Sequence, residues 1–264
     1  EISHFLDGLV TEGALSYGEI VKSANYCNIP LYSPYICALI SFTEQNRLLQ
    51  TSEWLGTSAL LRSQLADKWE MLSGNISYAF AKYNNVILVL QQSESLPVYE
   101  QVALVREYCG GLMKMLSAKG RDRGVIFGIG DPVPSLAEFC RSYSQALRTV
   151  DLASRICDER IATYRRYILC ELIYDSPNAK LALIQRIKPL LAYDEEHNTQ
   201  LLYTLETYFN NCQNSVKTSK ALFIHRNTLL YRLDRIAEIL DLNYNDSEQM
   251  LTFQLALKAF LMCQ

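Results

Sequence analysis

The sequence predicts an α+β protein in two parts, a split βαβ sheet domain followed by an all-helical remainder. Three observations lead there. Strand-like apolar runs alternate with helical periods as far as Arg160. No strand-like segment recurs with conviction beyond it. The order before it is strand, helix, strand, strand, helix, strand, helix. The length agrees, since 264 residues at about 150 per domain make two units. The division predicted is residues 1–160, a helical connector over 161–195, and a terminal domain over 196–264.

Ile2 to Val10 and Tyr17 to Asn28 read as short helices ending at Pro30. Pro34-Tyr35-Ile36-Cys37-Ala38-Leu39-Ile40-Ser41-Phe42 is a near-continuous apolar run of strand length, as in a buried strand. Leu61, Leu65, Lys68, Trp69 and Leu72 are spaced for one helix face, closed by Gly74. Ile76 to Phe80 and Val86 to Leu90 form a hairpin through Lys82-Tyr83-Asn84-Asn85. Val98 to Leu116 has a helical period, although Gly110 and Gly111 inside it each cost roughly 1 kcal/mol relative to Ala. Val125-Ile126-Phe127-Gly128-Ile129-Gly130 is a strand stopped by Asp131-Pro132. Ser135 then caps a helix to about Ile156, with Glu138 completing a capping box. This is a ferredoxin-like order with helices expected on one face. Tyr164 to Tyr174, Ala179 to Ile187 and Glu195 to Asn211 continue as helices.

Composition narrows the function classes. With 49% hydrophobic and 20% charged residues, the chain is ordinary globular protein, not disordered or collagen-like. A net charge of −3 neither predicts nor forbids a nucleic-acid partner, because an anion-binding face can be local. Cys27, Cys37, Cys109, Cys140, Cys157, Cys170, Cys212 and Cys263 are never two or three residues apart, so no zinc knuckle is expected. They read as reduced core thiols of a cytoplasmic protein. The aliphatic run Val86 to Leu90 is too short to span a bilayer, so no membrane partner is expected. The start at Glu1 has neither an initiator Met nor a signal-peptide pattern, and reads as the start of a fragment. No nucleophile elbow, phosphate loop or metalloprotease motif occurs, and Gly128-Ile129-Gly130 lacks a third glycine. The neighbouring acids Glu195-Glu196 and Asp158-Glu159 fit a solvated face or helix start better than an acid–base pair. No catalytic residue, metal or cofactor is expected.

Asn214 to Leu240 carries the chemistry. Val216, Ala221, Leu222 and Ile224 give a short helix an apolar face, and a bend follows at Phe223-Ile224-His225. Leu229, Leu233, Ile236 and Leu240 then make one buried stripe of a second helix. Its other face carries Arg226, Tyr231, Arg232 and Arg235, with Asn227 or Thr228 at its start. Two short helices about a tight turn, the second amphipathic and basic, make the helix-turn-helix pattern. Ala221 suits the closest approach of the two helices. From Ser215 to Arg235, five basic residues against Asp234 sum to +4, which leaves −7 on the rest.

In a major groove, the side chains of the second helix's first turns point at base edges. Arg226 can bond guanine bidentately and Asn227 adenine, with His225, Thr228 and Tyr231 beside them. Lys217, Thr218, Ser219 and Lys220 open the preceding helix, where free N–H groups favour phosphate. Arg232 and Arg235, further along, suit the DNA backbone. His225 equally fits a residue that satisfies the turn, and Asn227 fits a cap. A helical hairpin with a basic solvent face also suits a module that binds an effector or a protein rather than DNA.

Asn214 and the run Thr218 to Ile236, above all Leu222 to Thr228 with Tyr231-Arg232-Leu233, resemble the C-terminal helix-turn-helix of the PucR/CdaR family of bacterial transcriptional regulators. Pro189-Leu190-Leu191-Ala192-Tyr193-Asp194 and Leu255-Ala256-Leu257-Lys258 match its flanks. Gly128-Ile129-Gly130 and Ser142 to Leu147 resemble its central domain, a relative of the GGDEF nucleotide-cyclase fold. The resemblance implies a DNA operator as partner, control of catabolic genes, often as an activator, and a small-molecule effector sensed by an upstream domain. One motif contacts few bases, so a homodimer is expected. A cyclase signature belongs in the hairpin, yet Lys82-Tyr83-Asn84-Asn85 has neither glycine pair nor acid pair. Ser41-Phe42-Thr43-Glu44 adds one carboxylate, too few for a two-metal site. The domain is expected to be a degenerate, inactive cyclase palm.

Overall fold

A computed structural model describes residues 2–42, 68–120, 122–156 and 159–262. The chain divides into two units, Glu1–Ile168 and Leu169–Gln264. In the first, α1 (Ile2–Leu9) and α2 (Tyr17–Tyr26) precede β1 (Tyr35–Phe42). Then come α3, described over 68–73, β2 (Ser77–Lys82), β3 (Asn85–Gln91) and α4 (Val98–Ala118). β4 (Val125–Ile129), α5 (Phe139–Ile156) and β5 (Ile161–Thr163) complete the layer, and α6 (Tyr164–Tyr174) follows. Leu61, Leu65, Thr43, Glu44, Cys157, Asp158 and Cys263 lie outside the described residues.

The sheet order is β2-β3-β1-β4-β5, antiparallel throughout except for the parallel β4–β5 pair. The first four strands have the split βαβ order the sequence predicts. β5 is a correction to the reading that strands stop at Arg160. Its three residues pair Ile161, Ala162 and Thr163 with Phe127, Gly128 and Ile129. A strand that short has no period of its own, so its signal comes only from its partner.

Helices cover both faces of the sheet, not one. Alternate residues of β1 divide between two cores: Tyr35, Cys37 and Leu39 face α1, α2 and α5 through Phe5, Leu6, Ala24, Phe139 and Ala146. Ile36, Ala38, Ile40 and Phe42 face α3 and α4 through Trp69, Val105, Tyr108 and Leu112. The crossover helices α3 and α4 do share a face, and α1, α2 and α5 cover the other. The uninterrupted apolar run of β1 is the sequence signal for this, because a strand with one wet face alternates.

The helix after β4 also starts differently. Ser135 is extended but its side chain makes no cap bond, and Leu136–Glu138 form a 3₁₀ turn before α5. Leu136 is fully buried, and its N–H donates to the Leu31 carbonyl at 3.0 Å. Glu138 pairs with Arg141 at 3.3 Å instead of closing a capping box.

The second unit contains α7 (Pro177–His197), α8 (Leu201–Asn210), α9 (Ser215–Ala221), α10 (Arg226–Leu240) and α11 (Ser247–Leu261). α7 runs unbroken through Pro189, although the sequence predicts one helix ending at Ile187 and another beginning at Glu195. Ile187 and Leu190 on either side of the proline are fully buried, and this packing offsets the lost N–H. Asn198, in the left-handed region, ends the helix instead. Its neighbour Asp194 accepts from the N–H groups of Leu201 and Leu202, at 2.8 and 2.9 Å, and so starts α8.

Candidate nucleic-acid interface

Asn214 begins α9, its side-chain oxygen accepting from the N–H groups of Val216 and Lys217 at 3.0 Å. The helix lasts seven residues, with Leu222 as its C-cap. Phe223 follows with φ +55°, donating its N–H to the Lys220 carbonyl, while Ile224 donates to that of Ser219. These bonds close the helix in a left-handed cap and turn the chain. Leu222 and Ile224 pack against the helical core.

His225 then caps α10. Its Nδ1 accepts from the Asn227 N–H at 3.2 Å, so the cap needs that nitrogen unprotonated. Neither Asn227 nor Thr228 holds the cap position. Leu229, Leu233, Ile236 and Leu240 are all buried, as their spacing predicts.

The outward face of α10 begins with Arg226, Asn227 and Thr228, all exposed, and continues to Tyr231, whose side chain is 71% exposed. The structure thus brings the five proposed base readers, His225 among them, to one exposed helix start. Lys217 and Lys220 on α9 are exposed as well. No Asp or Glu occurs between Ser215 and Leu233, so the formal charges of this segment are all positive.

Four of the proposed phosphate residues sit otherwise. Thr218 is fully buried and Ser219 nearly so, with their hydroxyls donating to the carbonyls of Asn214 and Val216 at 2.8 and 3.1 Å. α9 packs its inward face on α8 and α10, and these two small residues allow the approach. Ala221, assigned that place from the sequence, is exposed, and so is Val216. Arg232 is half-buried and donates to Thr204 Oγ1 at 3.1 Å. Arg235 donates to the Tyr193 hydroxyl at 3.2 Å and to Glu238 at 2.7 Å, with its guanidinium 4.9 Å from the Tyr193 ring centre. Those bonds, to Tyr193 first, raise its already high pKa. Arg235 braces α10 against α7.

Sequence reasoning missed two roles. Tyr193 holds Arg235, and no periodicity could show that, because 42 residues separate them. Phe223, which the sequence places only in a bend, is 96% exposed.

In the first unit, the β2–β3 turn consists of Tyr83 and Asn84, since Lys82 pairs with Asn85. Lys82 Nζ lies 2.8 Å from Asp7 and 2.7 Å from Thr11 Oγ1, which ties this hairpin to the α1 end. Gly110 and Gly111 lie within α4, as read. Glu159 is held between Arg106 and Arg166 at 2.8 and 3.2 Å. Cys37, Cys109 and Cys170 are buried, and burial pushes the Cys37 and Cys109 thiols well above the usual thiol range. Among the described residues, no helix is long and apolar enough to cross a membrane.

Fold and site together define a class: a helix-turn-helix protein whose DNA-binding motif follows a cyclase-like sheet unit. The PucR C-terminal helix-turn-helix domain matches residues 201–259, and a GGDEF-like domain matches residues 12–152. The chain belongs to the PucR/CdaR family of transcriptional regulators. It is 27% identical to the proline-responsive transcriptional activator PutR of Bacillus subtilis, over 66% of this chain and 43% of that protein. It is 30% identical to the carbohydrate diacid regulator of Escherichia coli, over 49% of this chain and 34% of that protein. With the purine catabolism regulatory protein of B. subtilis the identity is 26%, over 72% and 37%. The chain therefore spans less than half the length of these relatives.

Proposed function

We propose that this chain reads duplex DNA with α10 and that the protein regulates transcription, as an activator of catabolic genes. One observation carries this: the first turns of α10 present Arg226, Asn227, Thr228 and Tyr231 outward while the opposite stripe is buried. An exposed helix of that kind fits a major groove, and a guanidinium and an amide are the groups that bond purine edges bidentately. Lys217 and Lys220 contact phosphate. Arg232 reaches phosphate with the donors that its bond to Thr204 leaves over, whereas Arg235 serves to hold the helix in place.

The first unit performs no nucleotide cyclisation in this reading. Its hairpin turn Tyr83-Asn84 offers neither a glycine pair nor an acid pair, and Lys82 is engaged by Asp7. The names of the relatives support a small metabolite as effector, sensed upstream of these residues. A homodimer on a palindromic operator supplies the second set of base contacts. A DNA partner makes the cytoplasm the working compartment.

Selection of bound duplexes from a random pool, followed by band-shift titration across salt, tests this. Arg226→Ala should lose about 1–3 kcal/mol on the selected duplex and little on random sequence. Lys220→Ala should weaken both alike and reduce the salt slope by about one. Equal losses for Arg226→Ala on both duplexes would contradict its base-reading role. No salt-dependent binding to any duplex, together with a thermal shift caused by a small molecule, would favour an effector-binding module.

A further inference from the structure

We propose that Phe223 is a specificity-determining residue that meets the C5-methyl group of a thymine beside the first turn of α10. The assignment rests on the DNA-binding reading above and deepens it. Two local preferences oppose a phenylalanine here. Its side chain is 96% exposed, while its neighbours Leu222 and Ile224 pack into the core. Its φ of +55° lies in the left-handed region, which disfavours any residue with a Cβ. The turn itself asks nothing of the ring. The cap bonds, Phe223 N–H to Lys220 and Ile224 N–H to Ser219, are backbone to backbone, and Gly or Asn satisfies them with less strain. A side chain that costs the fold and returns no packing to it has its use outside the fold.

Its position says where. Phe223 lies three residues after the exposed Lys220 and three before the exposed Arg226. The surrounding segment Ser215 to Leu233 has no carboxylate. A cationic surface of that kind selects a polyanion over an apolar protein partner. Within the major groove, the apolar feature available to a phenyl ring is the thymine methyl group.

The test uses the whole chain, a duplex it selects from a random pool, and the variants F223G and F223N, both of which accept a left-handed backbone. Both variants should melt at or above the wild-type temperature. Both should bind the selected duplex about fourfold more weakly, the worth of one buried methyl group. Replacing the contacted thymine by deoxyuridine, one position at a time, should weaken the wild type by about the same factor and leave both variants unchanged. Unchanged affinity in F223G and F223N, alongside a loss in R226A, would overturn the Phe223 assignment and leave DNA binding standing. Melting of both variants far below the wild type would make the ring structural and overturn it too. So would a uridine scan that costs the wild type nothing. If the wild type selects no duplex at all, the DNA-binding reading falls first and this proposal with it.

Discussion

His225 serves the fold at the very helix start that the DNA-binding reading uses. Its Nδ1 accepts the Asn227 N–H, satisfying one of the four amide donors that α10 leaves unpaired. His225→Ala should cost the helical unit about 0.5–2 kcal/mol, and His225→Asn should restore most of it, both read by urea unfolding. An equal loss in both variants would mean that the ring stabilises by packing and not by capping. If His225→Asn unfolds like the wild type yet binds the selected duplex less tightly, the histidine also touches DNA. At this scale the apolar residues of α10 were legible and the polar ones only partly so. Leu229, Leu233, Ile236 and Leu240 declare themselves by spacing. Thr218 and Ser219 do not, because a hydroxyl fits both a phosphate contact and a tight helix–helix approach, and only the packing of α9 decides. Arg235 is ambiguous for a related reason: Glu238 stands three residues on along α10, but Tyr193 takes the guanidinium up only once α7 lies alongside.

The strand β4 and the helix α5 explain two glycines that read as a strand exit. A Cβ on Gly130 would meet the Ser142 carbonyl and lie 2.7 Å from Ser142 Oγ, the atom that accepts the Cys37 N–H at 2.9 Å. A Cβ on Gly128 would run into the Ala146 carbonyl and lie 2.7 Å from Val150 Cγ2. The obstacle is helix backbone, which cannot rotate away, so Gly128→Ala or Gly130→Ala should cost about 1–3 kcal/mol or more. Gly110 and Gly111 in α4 predict the opposite sign. Among the described residues nothing lies within 4 Å of a Cβ at either position, so alanine there should gain about 0.5–1 kcal/mol per site. Thermal melts of the four variants should split into two lowered and two raised. A stable Gly130→Ala protein would mean that α5 stands further from the sheet than these distances allow. Sequence patterns carry the elements that bury a long stripe or run, such as β1 and α10. They do not carry β5, whose three residues depend on β4, nor the 3₁₀ entry to α5, which depends on the Leu31 carbonyl.

Asp122 and Glu19 in the first unit should respond to acid with the opposite sign to Glu206 in the second, because opposite causes perturb them. In the first unit, hydrogen bonds from Ser117 and then Arg160 hold Asp122 below the usual aspartate range. Glu19, in the capping box with Ser16, is lowered likewise. In the helical unit, burial raises Glu206 above the usual glutamate range, with Lys258 opposing only in part. A lowered carboxylate supports the fold above its unfolded value, and that support fades as pH falls through the folded value. A raised one supports the fold only below its unfolded value, and its contribution is lost as pH rises through the folded value. Ordinary carboxylates titrate near about 4, which sets the dividing point. Asp122→Asn should therefore melt below the wild type at neutral pH, and the gap should close as the pH drops below about 4. Glu206→Gln, which removes a charge that burial disfavours, should melt above the wild type at neutral pH. That advantage should shrink as the pH falls toward about 4, where the native glutamate is protonated in both states. Melting curves of both variants from neutral pH to well below that point check the two signs together. A Glu206→Gln advantage that grows on acidification would show that Lys258, and not burial, governs this carboxylate.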